Sequence, residues 1–219
     1  MKKSYSTFNE STIMPIIGIT GYKGSGKDTI ADFLVNNHDF IKVAFADFIK
    51  NALKELFDWD DNSFNHDNKE KKDTYWGVTP RKMCQELGTE FLRVHCKDFI
   101  SMKFNLPNGE PYQSTFHIKR INKEIIKLLK VNPNINIVFS DVRFQDELDY
   151  IKKLGGKIFR VSREDLKSNE FNNHVSEKNI ENLNGIDYEI NNNESILLLF
   201  KKITLTVECI EEHLHDHYL

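Results

Sequence analysis

Cysteines and long apolar runs are scarce in this sequence, and these two shortages argue against a disulfide-rich secreted protein and against a membrane-spanning protein. Three cysteines, Cys84, Cys96 and Cys209, follow no disulfide or metal-binding spacing, so we expect reduced thiols and a cytoplasmic location. The longest apolar runs, at residues 13–19 and 196–200, fall far short of the roughly 20 residues that a membrane span needs. The N-terminal residues lack the apolar segment of a signal peptide, so we expect none.

Arginine is scarce as well, which makes each arginine more informative. The chain has 24 lysines and only 6 arginines. The planar guanidinium group can bind a phosphate through two parallel hydrogen bonds, which lysine cannot do. The net charge of −3 provides no general attraction to nucleic acids or membranes. At 219 residues, 39% of them hydrophobic, the chain is long enough for one domain with a sizeable core.

Short apolar runs alternate with helical patterns along the chain, and this alternation predicts the fold class. We predict strands at residues 13–20, 41–45, 135–139, 157–161 and 188–190. We predict helices at residues 29–35, 48–56, 79–96, 118–129, 144–154 and 195–214. The third helix should begin at Thr79-Pro80 and bury the stripe Met83, Leu87, Phe91 and Val94. The pattern predicts an α/β fold, a doubly wound parallel sheet of about five strands with helices on both faces.

A glycine-rich loop between the first predicted strand and helix carries the strongest motif. Residues 21–27, Gly-Tyr-Lys-Gly-Ser-Gly-Lys, match the pattern G-x-x-x-x-G-K in the context that a phosphate-binding loop requires. The glycines let backbone amides turn toward an anion, the helix N-terminus adds its dipole, and Lys27 neutralises the outer phosphates. The residues predicted to bind the nucleotide here are Gly21, Lys23, Gly24, Ser25, Gly26, Lys27, Asp28 and Thr29.

Asp28 stands where most such loops carry a serine or threonine whose hydroxyl group binds Mg²⁺. A carboxylate is a hard oxygen ligand and could bind the metal directly or through water. Thr29 could supply the hydroxyl group instead, or Asp28 could be only a first-turn acid favoured by the helix dipole. The sequence leaves these interpretations open.

Further blocks follow the loop in a fixed order. They are residues 45–50 (FADFIK), 79–81 (TPR), 85–91 (QELGTEF), 140–144 (SDVRF), 160–163 (RVSR), 174–177 (HVSE) and 187–192 (DYEINN). With these blocks the chain resembles the deoxynucleoside monophosphate kinases of bacteriophages and other large DNA viruses, within the P-loop nucleoside monophosphate kinase superfamily. The resemblance spans about residues 14–200. Phe48 is a departure, since proline is usual there.

The resemblance implies transfer of the γ-phosphoryl group of ATP to a deoxynucleoside monophosphate, with Mg²⁺ as cofactor. It implies a small-molecule substrate, no nucleic-acid or membrane partner, and a cytoplasmic enzyme, in the host cytoplasm if the protein is viral. A homodimer and the preferred base both stay open. Within one domain at residues 13–219, it implies an acceptor-binding helical insertion at 46–116 and a lid at 162–184. Residues 1–12 are expected to form a flexible tail, and residues 58–73 a solvated excursion.

A nucleotide kinase must hold two anions in line, so cations should gather near its strand ends. The predicted catalytic residues are Lys27, Asp47, Asp141, Arg143 and Arg163, with Asp28 and Asp141 as metal ligands. The acceptor is expected to be bound by Asp47, Lys50, Arg81, Gln85 and Arg143. Asn191 is expected to bind ATP because it lies where this superfamily's adenine loop runs.

Several of these roles have competing interpretations. Asp47 either orients the acceptor or caps a helix. Arg160 and Arg163 have an odd separation, so only one should face the site, and we favour Arg163. The remaining arginines, Arg93 and Arg120, fall on predicted helices and are expected to be structural or on the surface.

Other functions compete with the nucleotide kinase. A kinase of the dephospho-coenzyme A or phosphomevalonate type would share the loop and differ in the acceptor pocket. A non-catalytic nucleotide-binding module is favoured by Asp28 but opposed by Lys27, Asp141 and Arg143. A C-terminal zinc site is a weak interpretation of Cys209, His213, His215 and His217.

Overall fold

The computed structural model describes residues 15–96, 102–164 and 179–216. Its strands are β1 (Ile16–Thr20), β2 (Phe40–Val43), β3 (Met102–Asn105), β4 (Pro111–Ser114), β5 (Asn136–Phe139), β6 (Lys157–Ser162) and β7 (Tyr188–Asn191). Five of them form a parallel sheet in the order β2–β5–β1–β6–β7, while β3 and β4 form an antiparallel hairpin. The predicted α/β fold with a five-stranded parallel sheet is confirmed.

Helices follow the strands much as the apolar spacing predicted. They are α1 (Lys27–Asn37), α2 (Asp47–Phe57), α3 (Pro80–Gln85), α4 (Phe116–Val131), α5 (Gln145–Lys153) and α6 (Ile196–Asp216). A short 3₁₀ helix spans Asp61–Phe64, and a π-helical segment, Glu86–His95, continues α3. Within the described ranges, no helix is long and apolar enough to cross a membrane.

Two apolar layers cover the sheet, because successive strand residues point to opposite faces. On one face, α4 and α5 pack through Ile118, Ile125, Leu148 and Ile151 against Ile16, Ile137 and Phe139. On the other face, α1 and α6 pack through Ile30, Leu34, Ile203 and Val207 against Ile17, Ile19 and Val138. Because the five strands are parallel, their carboxyl ends meet at one edge, where doubly wound sheets bind their ligands.

The charged segment between α2 and α3 is only partly solvated, which corrects the prediction for residues 58–73. Trp59 is buried, it stacks on Phe57 with ring centres 4.5 Å apart, and its Nε1 atom donates to Asp73 at 2.9 Å. Together with Ile49 and Leu53 it forms a third apolar cluster. Two aromatic residues among these charges, Trp59 and Phe64, therefore anchor the segment to the fold.

The third predicted helix begins as expected but changes form. Thr79 caps it by accepting a hydrogen bond from the backbone N–H of Lys82 at 3.1 Å, and Pro80 is the first helical residue. The π-helical segment after Gln85 has wider turns, so an apolar stripe spaced for an α-helix no longer stays on one face. Phe91 and Val94 are accordingly about half exposed, and the prediction that both are buried is wrong.

Two predicted segments cannot be described. The tail at residues 1–12 and most of the lid, including His174 and Glu177, lie outside the described residues. The same holds for the side chains of His213, His215 and His217. In the described ranges, no group of three or more histidine, cysteine, aspartate or glutamate residues could hold a metal ion.

Candidate active site

The loop after β1 has a backbone that favours glycine. Gly21, Gly24 and Gly26 have φ angles of 143°, 83° and 103°, all in the left-handed region. At Gly21 there is also no room for a side chain, because a Cβ atom would lie 2.3 Å from the backbone oxygen of Val161. The loop therefore turns tightly at the carboxyl edge of the sheet and leads directly into α1. Backbone amides and a helix dipole at this point favour an anion.

Two side chains of the loop are suited to a phosphate chain. Lys27 is 8% exposed, and its Nζ atom donates to the backbone oxygen of Tyr22 at 2.7 Å. The ammonium group is thus folded back over the loop. Ser25 Oγ is buried and has no hydrogen-bond partner in the part of the chain that the structure describes. A buried hydroxyl group normally has a partner, so this one fits a ligand atom.

Asp28 and Thr29, the predicted metal ligand and its alternative, lie exposed in the first turn of α1. Asp28 Oδ1 lies 3.3 Å from Nζ of Lys42 on β2, and Asp32 Oδ1 lies 2.9 Å from the same atom. Burial lowers the pKa of Lys42, but the hydrogen bonds and charges of these two carboxylates outweigh burial and raise the pKa. The carboxylate of Asp28 is therefore shared with a charged lysine, and its metal role stays a prediction.

Asp141 follows β5 and joins two strand ends. Its Oδ1 atom accepts a hydrogen bond from the backbone N–H of Phe45 at 2.7 Å, and Oδ2 accepts one from Ala46 at 2.9 Å. Burial raises the pKa of Asp141, and these two hydrogen bonds oppose the rise. The carboxylate thus fixes the chain after β2 against the end of β5, and only its remaining lone pairs are available to a metal.

Asp47 is the first residue of α2, and its side chain closes the turn that leads into the helix. Oδ2 accepts a hydrogen bond from the backbone N–H of Ala44 at 3.1 Å, while Oδ1 lies 3.2 Å from Nζ of Lys50. Burial lowers the pKa of Lys50, but the charges of Asp47 and Asp141 outweigh burial and raise the pKa. Lys50 is therefore held in its charged form at the edge of the sheet.

Four cations from separate elements act electrostatically on Cys84 of α3. Burial raises the pKa of its thiol to about 11. The positive charges that oppose this rise belong to Lys50, Arg81, Arg143 and Lys69. Three of the four were predicted to bind the acceptor, and the structure brings them together from α2, α3 and the segment after β5. Gln85, predicted to contact the base, is half-buried at the end of α3.

A buried ion-pair cluster holds the segment that carries Arg143. Glu147 Oε2 accepts hydrogen bonds from the backbone N–H groups of Arg143 and Phe144 at 2.8 and 3.2 Å. Arg93 pairs with Glu147 and donates to both oxygens of Asp146 at 2.9 Å. Burial raises the pKa of Glu147, and the charge of Arg93 opposes the rise. The interpretation of Arg93 as a structural residue is confirmed.

The two arginines at the end of β6 have different surroundings. Arg160 donates to the backbone oxygen of Leu183 at 2.8 Å and pairs with Glu189 at 3.2 Å, so it ties β6 to neighbouring segments. Arg163 lies just beyond β6 and is exposed. The structure thus gives Arg160 a structural role, and the role of Arg163 in the site stays a prediction.

Asn192 supports the phosphate-binding loop, a contact that the sequence analysis did not identify. Its Nδ2 atom donates to the backbone oxygen of Ser25 at 2.9 Å, and a Cβ atom on Gly26 would lie 2.4 Å from it. The neighbouring Asn191, predicted to bind ATP, is exposed at the end of β7. Three consecutive asparagines carry no signal that would separate these roles.

Glu70 was also missed, although it links two predicted site residues. Its Oε1 atom lies 2.5 Å from Nζ of Lys23 in the phosphate-binding loop and 3.5 Å from Nε of Arg81 on α3. In the sequence Glu70 is one of many charges in a polar segment, and nothing local indicates that the segment folds back onto the loop.

Comparison with known proteins agrees with this geometry. The model of the deoxynucleotide monophosphate kinase family matches residues 15–79 and 108–203. A relative from Acanthamoeba polyphaga mimivirus, described as "Putative deoxynucleotide monophosphate kinase", is 35% identical over 201 residues, which are 90% of this chain and 97% of the relative. The chain belongs to the deoxynucleotide monophosphate kinase family. The predicted enzyme class, a kinase that transfers a phosphoryl group from ATP, is thereby confirmed.

Solved structures resemble this kinase in fold. A protein from Thermus thermophilus superposes with a TM-score of 0.50 at 14% identity, covering 90% of this chain and 97% of that one. Dephospho-CoA kinase from Campylobacter jejuni has a TM-score of 0.48 at 16% identity, covering 90% and 98%. At such low identity the first of these likenesses shows the fold alone, and the substrate must be argued from the site.

Proposed function

We propose that this kinase transfers the γ-phosphoryl group of ATP to a deoxynucleoside 5'-monophosphate, giving ADP and a deoxynucleoside diphosphate. The observation that carries the proposal is the meeting of two sets of groups at one edge of the sheet. The glycine loop with Lys27 suits the phosphate chain of ATP. The cations Lys50, Arg81 and Arg143 come from three other elements and suit a second phosphate. Two anions held side by side are what phosphoryl transfer requires.

The reaction needs little covalent chemistry from the protein. The acceptor phosphate has a second pKa of about 6, so it is already mostly a dianion at neutral pH and needs no general base. Lys27 would neutralise charge on the transferred group, while Arg143 and Arg163 would clamp oxygens that face the acceptor. We assign Asp47 to holding Lys50, which its 3.2 Å contact supports. Gln85 and Asn191 would contact the bases of acceptor and donor.

Mg²⁺ fits the carboxylates at this edge as a hard cation that prefers oxygen ligands. Asp28 and Asp141 would hold it, directly or through water. Asp141 has both oxygens hydrogen-bonded to the backbone, which favours an indirect contact. Bound there, Mg²⁺ would supply positive charge that neutralises the phosphate oxygens. The protein's own part is to fix the phosphate-binding loop and the acceptor cations relative to each other.

We further propose that the only partner needed for turnover is the small nucleotide substrate. The net charge of −3 supports this over binding to nucleic acid. The three cysteines follow no disulfide spacing, which favours the reducing cytoplasm as the location. Whether two copies associate can be read from the mass of the protein in solution.

The proposal is tested by measuring ADP release with ATP and each of dGMP, dTMP, dCMP, dAMP, their ribonucleotide counterparts and dephospho-coenzyme A. Acceptor-dependent ADP release is expected with at least one deoxynucleoside monophosphate. If only dephospho-coenzyme A stimulates ADP release, the protein is a dephospho-coenzyme A kinase and not a nucleotide kinase. Release that no acceptor stimulates would instead favour a nucleotide-binding module.

Lys27→Ala is the matching variant, and we expect it to abolish detectable transfer because the phosphates of ATP lose their buried cation. Lys153→Ala is the control, since Lys153 is exposed at the end of α5, and it should keep full activity. Circular dichroism should show that both variants are folded. A folded Lys27→Ala protein with normal turnover would contradict the kinase mechanism.

A further inference from the structure

The segment before α3 lies directly against the phosphate-binding loop. Glu70 contacts Lys23 of that loop and Arg81 of α3 through the same carboxylate oxygen, at 2.5 and 3.5 Å. The backbone N–H of Arg81 donates to the backbone oxygen of Lys69 at 2.9 Å, which aligns the two chains beside each other. Residues 69–70 therefore lie between the loop that suits ATP and the helix that suits the acceptor.

Lys69 is placed among the charged groups of both sides. It is half-buried, and burial together with the charges of Arg81 and Lys23 lowers the pKa of its ammonium group. Asp28 in the first turn of α1 and Glu70 act in the opposite direction. These groups belong to the phosphate-binding loop, to α1 and to α3, and the 2.9 Å backbone contact with Arg81 places Lys69 between the loop and α3.

We propose that Lys69 binds the phosphoryl group during its transfer and that Glu70 is the positioning residue that holds Lys69 and Arg81 in place. The inference rests on the proposed function and adds two residues to its site. Charge develops between donor and acceptor during transfer, and a cation there contributes most to the transition state. Lysine suits this location because its compact charge sits on a long flexible stem.

Glu70 cannot itself bind a phosphate, because both are anions. Its role is to join Lys23 and Arg81, whose like charges would otherwise separate the loop from α3. The side chains of Lys23 and Glu70 are 40% and 45% exposed, and ion pairs this exposed contribute little to folding stability. Removing the charge of Glu70 should therefore leave the fold intact and act on the site.

The first test compares Lys69→Met, Lys69→Arg and the control Lys72→Met, because Lys72 is exposed on the same segment. With the best acceptor, we expect Lys69→Met to lower kcat by about 30-fold or more and to raise KM for ATP by only about fivefold. Lys69→Arg should recover most of the loss because it restores the charge. A kcat for Lys69→Met within about twofold of the Lys72→Met value would overturn the role of Lys69.

The second test concerns Glu70→Gln, with Glu55→Gln as control, since Glu55 is exposed on α2. Loss of the nearby negative charge should lower the pKa of Lys69, so the alkaline decline of kcat should begin at a lower pH. A purely structural role would not move that decline. If the pH profile and kcat of Glu70→Gln match those of Glu55→Gln, the positioning role is excluded.

A binding measurement separates failure of this inference from failure of the proposed function. Calorimetry with inorganic tripolyphosphate needs no turnover and no knowledge of the base. Lys69→Met should bind it about fivefold or more weakly than Lys72→Met, since a facing cation is lost. If the wild-type protein phosphorylates no acceptor, the proposed function is wrong. The comparison of tripolyphosphate affinities then tests by itself whether Lys69 binds phosphate. Equal affinity of the two variants would then overturn the inference.

Discussion

Arg143, which we propose binds the acceptor phosphate, has its backbone N–H fixed by a 2.8 Å hydrogen bond to Glu147, so the origin of its side chain is well defined. A guanidinium group can bind two phosphate oxygens at once, whereas an ammonium group cannot. We therefore expect Arg143→Lys to lower kcat/KM by about 100-fold, equivalent to about 2.7 kcal/mol of transition-state stabilisation. Steady-state kinetics with the best acceptor measures the loss.

Arg120→Lys is the control for that variant, because Arg120 forms a partly exposed ion pair with Glu124 on α4, at 2.9 Å. It should change kcat/KM by less than about twofold. A loss below about threefold in Arg143→Lys would mean that the acceptor phosphate is clamped elsewhere.

Asp28 presents the other open question at the scale of single residues, because Lys42 already engages its carboxylate. If Asp28 serves Mg²⁺, Asp28→Asn should raise the Mg²⁺ concentration needed for half-maximal activity by several-fold, and Asp28→Ser should perform better than Asp28→Ala. Asp32→Asn is the matched control, since Asp32 contacts the same lysine at 2.9 Å. Mg²⁺ titration at saturating ATP separates the cases. If the Mg²⁺ concentration for half-maximal activity shifts equally in Asp28→Asn and Asp32→Asn, Asp28 acts only through its ion pair with Lys42 and does not bind the metal.

At the scale of elements, two ion pairs of Arg93 connect the π-helical segment to α5. Arg93 is 9% exposed in its side chain and contacts Asp146 and Glu147. Arg93→Met would leave Glu147 buried without its cation, which typically costs about 3–5 kcal/mol. Urea unfolding should show this loss, whereas Arg120→Met should cost less than about 1 kcal/mol. A loss as small as that of the control would mean that water replaces the guanidinium group.

The elements that the sequence predicted correctly are those determined by neighbouring residues. The phosphate-binding loop follows from three glycines between a strand and a helix, and the start of α3 follows from Thr79-Pro80. The contacts of Trp59 and Glu70 depend on how a whole segment folds back, which composition does not report. The π-helical turns were missed because apolar spacing was fitted to α-helical periodicity.

At the scale of the whole molecule, the parallel sheet explains why site residues far apart in sequence meet. Alternation of strands and helices predicted the sheet, but the order β2–β5–β1–β6–β7 arises only from packing on both faces. That order places β5 beside both β1 and β2, so Asp141 can reach the chain that follows β2. The sequence therefore predicted which loops lie at the carboxyl edge of the sheet. The contacts between those loops could be identified only from the three-dimensional structure.

Stability of the whole molecule should also depend on a buried histidine. His117 on α4 is 4% exposed and packs edge-on against Phe48, with ring centres 5.2 Å apart. Burial and the charge of Arg93 lower its pKa to about 3, although a backbone hydrogen bond with Gly88 opposes this. Its Nδ1 atom has no hydrogen-bond partner among the described residues, so no group nearby favours a second proton.

The sign of the effect follows from where the proton binds. In the unfolded chain the imidazole of His117 has a pKa of about 6.5, so below that pH it binds a proton, whereas in the folded protein it stays neutral down to about pH 3. The free energy of unfolding therefore decreases as the pH falls from about 6.5 toward 3. At pH 4.5 this group alone should remove about 2–3 kcal/mol relative to pH 7. His117→Gln should lose correspondingly less stability over the same range, whereas His66→Gln, at an exposed histidine, should follow the wild type. Urea unfolding at pH 7 and pH 4.5 gives the difference between the proteins, in which carboxylates common to all three cancel. Parallel losses in wild type and His117→Gln would show that His117 gains its proton in the folded state.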